Sequence, residues 1–264
     1  MLKFEFRRLY RSRFLLILAL LIEGAAVAGL GMSVVFSEHA DIKNSGGAIM
    51  SFYNSFAQLS FPILGACHAY YFAKDFENGT YDFCRQAGFG LTRVIRTRLT
   101  TLLGVSLALV AVMYVVYVVV DGHVTLEFAS FVFVAVALMI VFTVMSAAFI
   151  GVVFARSLWA TLAMPVIWVV LSFVNFFGYG LANQADTASF TSYVAAEMVG
   201  GIHSINYRSI DTLGIDLVSW GVPIALGLFM VWISMSCLGL HLALAHRQSQ
   251  AKVCSGSTAE RSGF

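Results

Sequence analysis

Six runs of apolar residues, each long enough to cross a bilayer as a helix, constrain this chain more than any other feature. They cover 14–36, 50–73, 99–120, 128–155, 158–177 and 218–243. A helix rises about 1.5 Å per residue, so about 20 apolar residues span the roughly 30 Å of hydrocarbon. Barrel strands would show alternation instead, and none is visible. Composition agrees: 59% of the residues are hydrophobic and 11% are charged, where a soluble domain carries about a quarter. The basic segment Met1–Arg13 followed by an apolar run has the outline of a signal peptide. That run is too long for one and no small-residue cleavage site follows, so a retained first span is expected.

The basic residues set the orientation. With six spans and the N-terminus inside, 14 of the 16 Lys and Arg fall in inner segments and only Lys43 and Arg208 fall outside. That is the asymmetry of the positive-inside rule. Glu38, Asp41, Asp121, Glu127, Asp186, Glu197, Asp211 and Asp216 lean the other way. Both termini are therefore expected in the cytoplasm, and the net charge of +2 marks sidedness, not nucleic-acid binding. Cys67 and Cys237 lie in spans and Cys84 and Cys254 inside, so no disulfide is expected. The histidines form no H-E-x-x-H pattern or cluster, so no metal is expected.

Residues 1–13, MLKFEFRRLYRSR, place Leu2, Phe6, Leu9 and Tyr10 on one helical face, with Lys3, Arg7, Arg8 and Arg11 away from it. Such a helix suits the inner membrane interface, its arginines among anionic headgroups. After the second span comes Lys74-Asp75-Phe76-Glu77-Asn78-Gly79-Thr80-Tyr81-Asp82-Phe83-Cys84-Arg85-Gln86-Ala87-Gly88. Thr80 or Asn78 can cap a helix start, Asp82 suits its first turn, and Gly88 can end it in a left-handed cap. A helix of about two turns is expected, with Phe76, Tyr81 and Phe83 exposed unless something covers them.

The Glu77-x-Gly79-Thr80 pattern just after the second of six spans, followed by Arg93, resembles the type-2 exporter permeases of ABC transporters. Gly88 stands near the place where many members carry a proline. The resemblance implies a coupling helix that sits on a separate ATPase subunit, with Asp75, Glu77, Gly79, Thr80, Tyr81, Phe83 and Arg93 as its residues. It also implies a second permease, identical or paralogous, and a lipophilic or amphipathic cargo, as in export of peptide antibiotics or bacteriocins and self-immunity. No cofactor is expected on this chain, because no G-x-x-x-x-G-K-[ST] loop is present. ATP and Mg would sit on the partner ATPase.

The loop 178–217 recurs apolar at Phe190, Val194 and Met198 before Gly200-Gly201, which gives one short helix, and a second is expected near Ile205 to Leu213. They would lie on the outer leaflet or cap a substrate path. Glu23 is the one acid inside a span, near the bilayer midplane, where burial must be compensated by protein, water or protonation. It is a candidate for the substrate path or for a structural hydrogen bond. Ala147, Gly151 and Ala155, at four-residue steps, permit close helix contact within the bundle or across a dimer.

The expected organisation is an all-α membrane protein of the cytoplasmic membrane: an amphipathic connecting helix at 1–13, a six-span domain at 14–245 with a short cytoplasmic coupling helix and short extracellular helices before the last span, and a disordered tail at 246–264. Two other readings stand beside the permease. One is an ATPase-independent immunity or receptor protein. The other is a lipid-modifying membrane enzyme, which would need a polar catalytic cluster that the sequence does not display.

Overall fold

The computed structural model describes residues 2–11, 13–14, 17–22, 24, 27, 47–121, 124–176, 184–198 and 217–261. Among the described residues all regular structure is helical. Three stretches, Leu91–Val119, Leu126–Phe154 and Ser219–Gln250, are long and apolar enough to cross a membrane. The protein is all-α with the character of a membrane protein. Glu23, most of the first expected span and the second outer helix near 205–213 lie outside the described residues.

Helix α1 covers Leu2–Arg11, and residues 14, 17–22, 24 and 27 are helical after it. Helix α2 (Gly47–Leu59) passes through a π-helical stretch, Ser60–Leu64, into α3 (Gly65–Glu77). The short helix α4 (Thr80–Gln86) follows, then α5 (Leu91–Asp121), α6 (Leu126–Phe154), α7 (Ser157–Phe176), α8 (Gln184–Met198) and α9 (Leu217–Arg261). The π stretch has an evident cause. Pro62 lacks an N–H and its ring crowds the carbonyl four residues back, and a wider turn relieves that clash.

Helix α6 is the centre of the bundle. Its residues are buried on nearly every side, from Phe128 and Val132 through Ala147 and Ala148 to Val152. Thr125 starts it by accepting the Phe128 N–H at 3.4 Å, and Ala155 ends it at φ +51. By contrast, α5, α7 and α9 turn apolar residues outward, among them Val115 and Val119, Val166 and Val170, and Met235 and Leu242. Apolar exposure on that scale requires a cover, and a lipid environment supplies one.

The stripe of small residues works within the bundle. A Cβ on Gly151 would lie 2.6 Å from Phe72 Cβ and 3.1 Å from the Ala69 carbonyl oxygen, so α6 meets α3 almost backbone to backbone. At the start of α3, a Cβ on Gly65 would meet the Met164 methyl of α7 at 2.2 Å and Thr143 Cγ2 of α6 at 3.4 Å.

In α1, Glu5 and Leu9 are buried against the bundle, while Phe4, Phe6 and Tyr10 are exposed. Two expectations need correction. Helix α8 does not lie on the surface: Thr187, Ala188, Phe190, Thr191, Tyr193, Val194 and Ala195 are all buried. It is held by Tyr53 Oη donating to the Ala188 carbonyl at 2.9 Å and Trp232 Nε1 donating to Thr187 Oγ1 at 3.1 Å. Finally, the residues read as a disordered tail continue α9 as far as Arg261. Ala245, Arg247, Gln248, Gln250, Ala251 and Lys252 are strong helix formers, and no proline interrupts them.

Candidate functional site: the interhelical joint behind the helix 80–86

Helix α3 ends on charged residues, and the chain must turn sharply to start α4. Gly79 makes the turn at φ +66. A Cβ there would meet nothing within 4 Å, so the need for glycine comes from the backbone conformation itself. Gly79 is the N-cap, and no side chain caps α4. The expected cap by Thr80 or Asn78 is not formed, because Thr80 is already the first helical residue and Asn78 belongs to the turn. Asp82 does occupy the first turn. At the other end Gly88 (φ +81) donates to the Arg85 carbonyl at 3.0 Å and Phe89 donates to the Cys84 carbonyl at 2.9 Å. This pair of bonds is the Schellman termination. The result is a seven-residue helix fixed at both ends by left-handed glycines.

Behind it lies a buried cluster of four charged groups. Asp75 of α3, 1% exposed, accepts from Arg98 of α5 through Oδ2 and from Arg8 of α1 through Oδ1. Arg8 Nη1 also reaches Asp75 Oδ2 at 3.3 Å. Arg98 is itself 1% exposed and donates through Nε to Glu5 Oε1 at 3.3 Å. Two carboxylates thus face two guanidiniums, and the cluster is formally neutral. Ion burial is costly unless pairing is complete, and here each arginine has at least one acidic partner.

Aromatic rings close the cluster. The Arg98 guanidinium lies 4.7 Å from the Tyr81 ring centre, and that of Arg8 lies 5.5 Å from Tyr71. Such contacts are worth about 0.5–2 kcal/mol, more when desolvated. The Tyr81 ring also meets Phe76 at 4.2 Å. The Tyr81 hydroxyl is buried without a hydrogen-bond partner. Burial pushes the Tyr81 hydroxyl well above its usual pKa, with the Glu5 charge adding to the shift.

The residues implied by the family resemblance therefore separate. Asp75 and Tyr81 face inward, and Tyr81, at 5% exposed, is covered by its own chain. Its ring packs against Phe76 and the Arg98 guanidinium. Phe83 remains 71% exposed. Arg93 is also exposed. Glu77 does not reach a cation of the connecting helix or of the 93–98 stretch. It accepts from Ser157 Oγ at 2.5 Å and Ser157 N at 3.3 Å, at the first turn of α7. Those bonds hold the Glu77 carboxyl below its ordinary pKa, helped by the charges of Arg156 and Lys74. A carboxylate at that position also complements the helix dipole.

Arg8 and Arg98 as partners of Asp75, and Glu5 as the second acid on Arg98, were not foreseen from the sequence. A signal existed: Glu5, Arg8 and Leu9 share a face at helical spacing, and an acid at the inner end of one span was matched by an arginine at the inner end of the next. Elsewhere His68 bonds the Leu64 carbonyl at 2.6 Å and Ser106 Oγ at 3.2 Å, which completes both ring nitrogens. Among the described residues no group of three or more His, Cys, Asp or Glu could hold a metal ion. No protein-family model, curated protein or solved structure matches the chain.

Proposed function

We propose that this chain is the membrane-spanning permease subunit of an ATP-driven exporter, with six spans and both termini in the cytoplasm. The observation that carries the reading is the helix Thr80–Gln86. It is rigid at both ends, backed by a buried ionic joint, and offers an unburied Phe83. A helix of this length contributes little stability alone. Bracing it this firmly makes physical sense where force must pass through it.

In this reading α4 docks on a separate ATPase chain, which binds ATP and Mg, and Phe83 fills a pocket there. Arg93 and Arg85 add positive charge beside it. Movement of α4 would pass through Tyr81 and Arg98 to α5, through Asp75 to α3 and α1, and through Glu77 to α7. A second permease, identical or paralogous, completes the path, and the cargo is lipophilic or an amphipathic peptide. Glu23 remains a candidate for the path.

Replacing Phe83 with Ala tests the docking directly. A buried aromatic anchor usually contributes about 1–4 kcal/mol to an interface. Co-purification of the permease with a phosphate-loop ATPase encoded beside it should weaken accordingly, and substrate-stimulated ATP hydrolysis should fall. Equal binding by wild type and Phe83→Ala would remove α4 as the docking element.

A further inference from the structure

Helix α9 does not stop where the bilayer should end. Leu240 and Leu244 are buried, and the same face continues in helical register to Arg247 and Gln248. Arg247 Nη2 donates to the Val153 carbonyl at 2.9 Å. Val153 lies in the last turn of α6, where carbonyls lack intrahelical donors and a cation is favoured. The same guanidinium lies 5.6 Å from the ring centre of Phe76, in the last turn of α3. One residue on, Gln248 Nε2 donates to Thr92 Oγ1 at 2.8 Å, in the first turn of α5. Two consecutive side chains of α9 thus tie together the inner ends of three other helices.

Phe76 is the link to the coupling element, since its ring meets Tyr81, and Tyr81 in turn meets Arg98. A continuous series runs Arg247, Phe76, Tyr81, Arg98, then the Asp75 and Glu5 carboxylates, then Arg8. Its first half is a pair of rings in contact held between two cations. It connects the last helix to the first through α4.

We infer that the inner extension of α9 is a strut for the helix Thr80–Gln86, with Arg247 as its positioning residue acting through Phe76. The value of holding that helix rests on the docking reading above; the strut itself does not. Arg247 sits at the far end of the series from the ionic joint, so its removal should loosen α4 without exposing a buried charge.

The test uses the full chain in lipid nanodiscs, with Cys67, Cys84, Cys237 and Cys254 replaced. A nitroxide is placed at 83 (Phe83→Cys) or, as a control on the outward face of α7, at 170 (Val170→Cys), and spin-label mobility is read from the line shape. Arg247→Ala should raise the mobile fraction at 83 by about two- to fivefold, the size expected for a partly exposed cation–ring contact, and leave 170 unchanged. Arg247→Lys, which keeps a cation near Phe76, should retain the native line shape. An unchanged label at 83, equal loosening at both sites, or a lysine variant as loose as alanine would each overturn the strut. ATPase co-purification is read separately on the wild type. If no ATPase binds but the label at 83 responds as expected, the strut stands and the docking reading falls.

Discussion

The end of the bundle behind α4 and its apolar middle hold their helices together by different means. In the middle, α6 lies against α3 at Gly151 and α3 against α7 at Gly65, with almost no space to spare. At the end behind α4 the contacts are Asp75 with Arg8 and Arg98, Glu5 with Arg98, and Glu77 with Ser157. Close packing is short in range and does not permit a helix to slide. Ion pairs and rings hold direction and tolerate small displacement. If α4 transmits force as proposed, its end of the bundle must shift against a fixed centre, and the two kinds of contact are distributed to suit that.

The largest effect should come from breaking the ionic joint on one side. Arg98→Met leaves Asp75 sharing only Arg8 and leaves Glu5 without its cation, both in a buried setting. Removing one partner of such a pair typically costs about 3–5 kcal/mol. Thermal unfolding in lipid nanodiscs, followed by circular dichroism, should show this loss. Pairing Arg98→Met with Glu5→Leu leaves the Asp75–Arg8 pair in place, restores charge balance and should recover most of it. Equal losses in the single and double variants would mean that the charges do not cooperate.

The middle should respond less, and unequally. Gly151→Ala drives a methyl toward the Phe72 Cβ and the α3 backbone, neither of which can swing away. A cost of about 1–3 kcal/mol is expected for overpacking. Gly65→Ala clashes with the flexible end of Met164, which can adjust, and touches Thr143 at ordinary contact distance, so it should cost less by the same measurement.

Tyr81 and Phe83 sharpen the contrast within one helix. Tyr81→Phe removes a buried hydroxyl without a partner and keeps the ring against Arg98 and Phe76, so stability should hold or rise. Phe83→Ala should change unfolding by no more than about 0.5 kcal/mol, as for surface sites generally. Only ATPase binding should register its loss.

The smallest effect concerns pH. Glu77 has a depressed folded pKa because of Ser157. Its contribution is therefore present above the ordinary carboxylate pKa and is lost as pH falls through the folded value. Ser157→Ala should lower the unfolding temperature slightly at neutral pH. The difference from wild type should vanish once Glu77 is protonated.

Helical character and the bounds of some long helices were legible from sequence because apolar run length and glycine position act locally. The run at 99–120 lies within α5, that at 128–155 ends on the residue that caps α6, and Gly79 and Gly88 bracket α4 as their neighbours suggest. Which apolar helix sits at the centre was not legible. Helix α6 and helix α9 read alike, yet the apolar window of the first is 61% buried and that of the second 17%. Tyr81 and Phe83 could not be separated either, because the cover over Tyr81 comes from Arg98, distant in the chain. The same holds for Asp75, whose partners lie 67 and 23 residues away. Pairing of that kind is fixed by how helices cross, which no local pattern records.

In the docking proposed above, Phe83 and not Tyr81 meets an ATPase. The most direct test places a photo-reactive benzophenone side chain at position 83 in one strain and at 81 in another, irradiates native membranes, and identifies the adducts by mass spectrometry. An adduct at 83 containing a phosphate-loop ATPase, with only internal cross-links from 81, is the predicted result. Lipid alone at 83, or the same ATPase adduct from both positions, would contradict it.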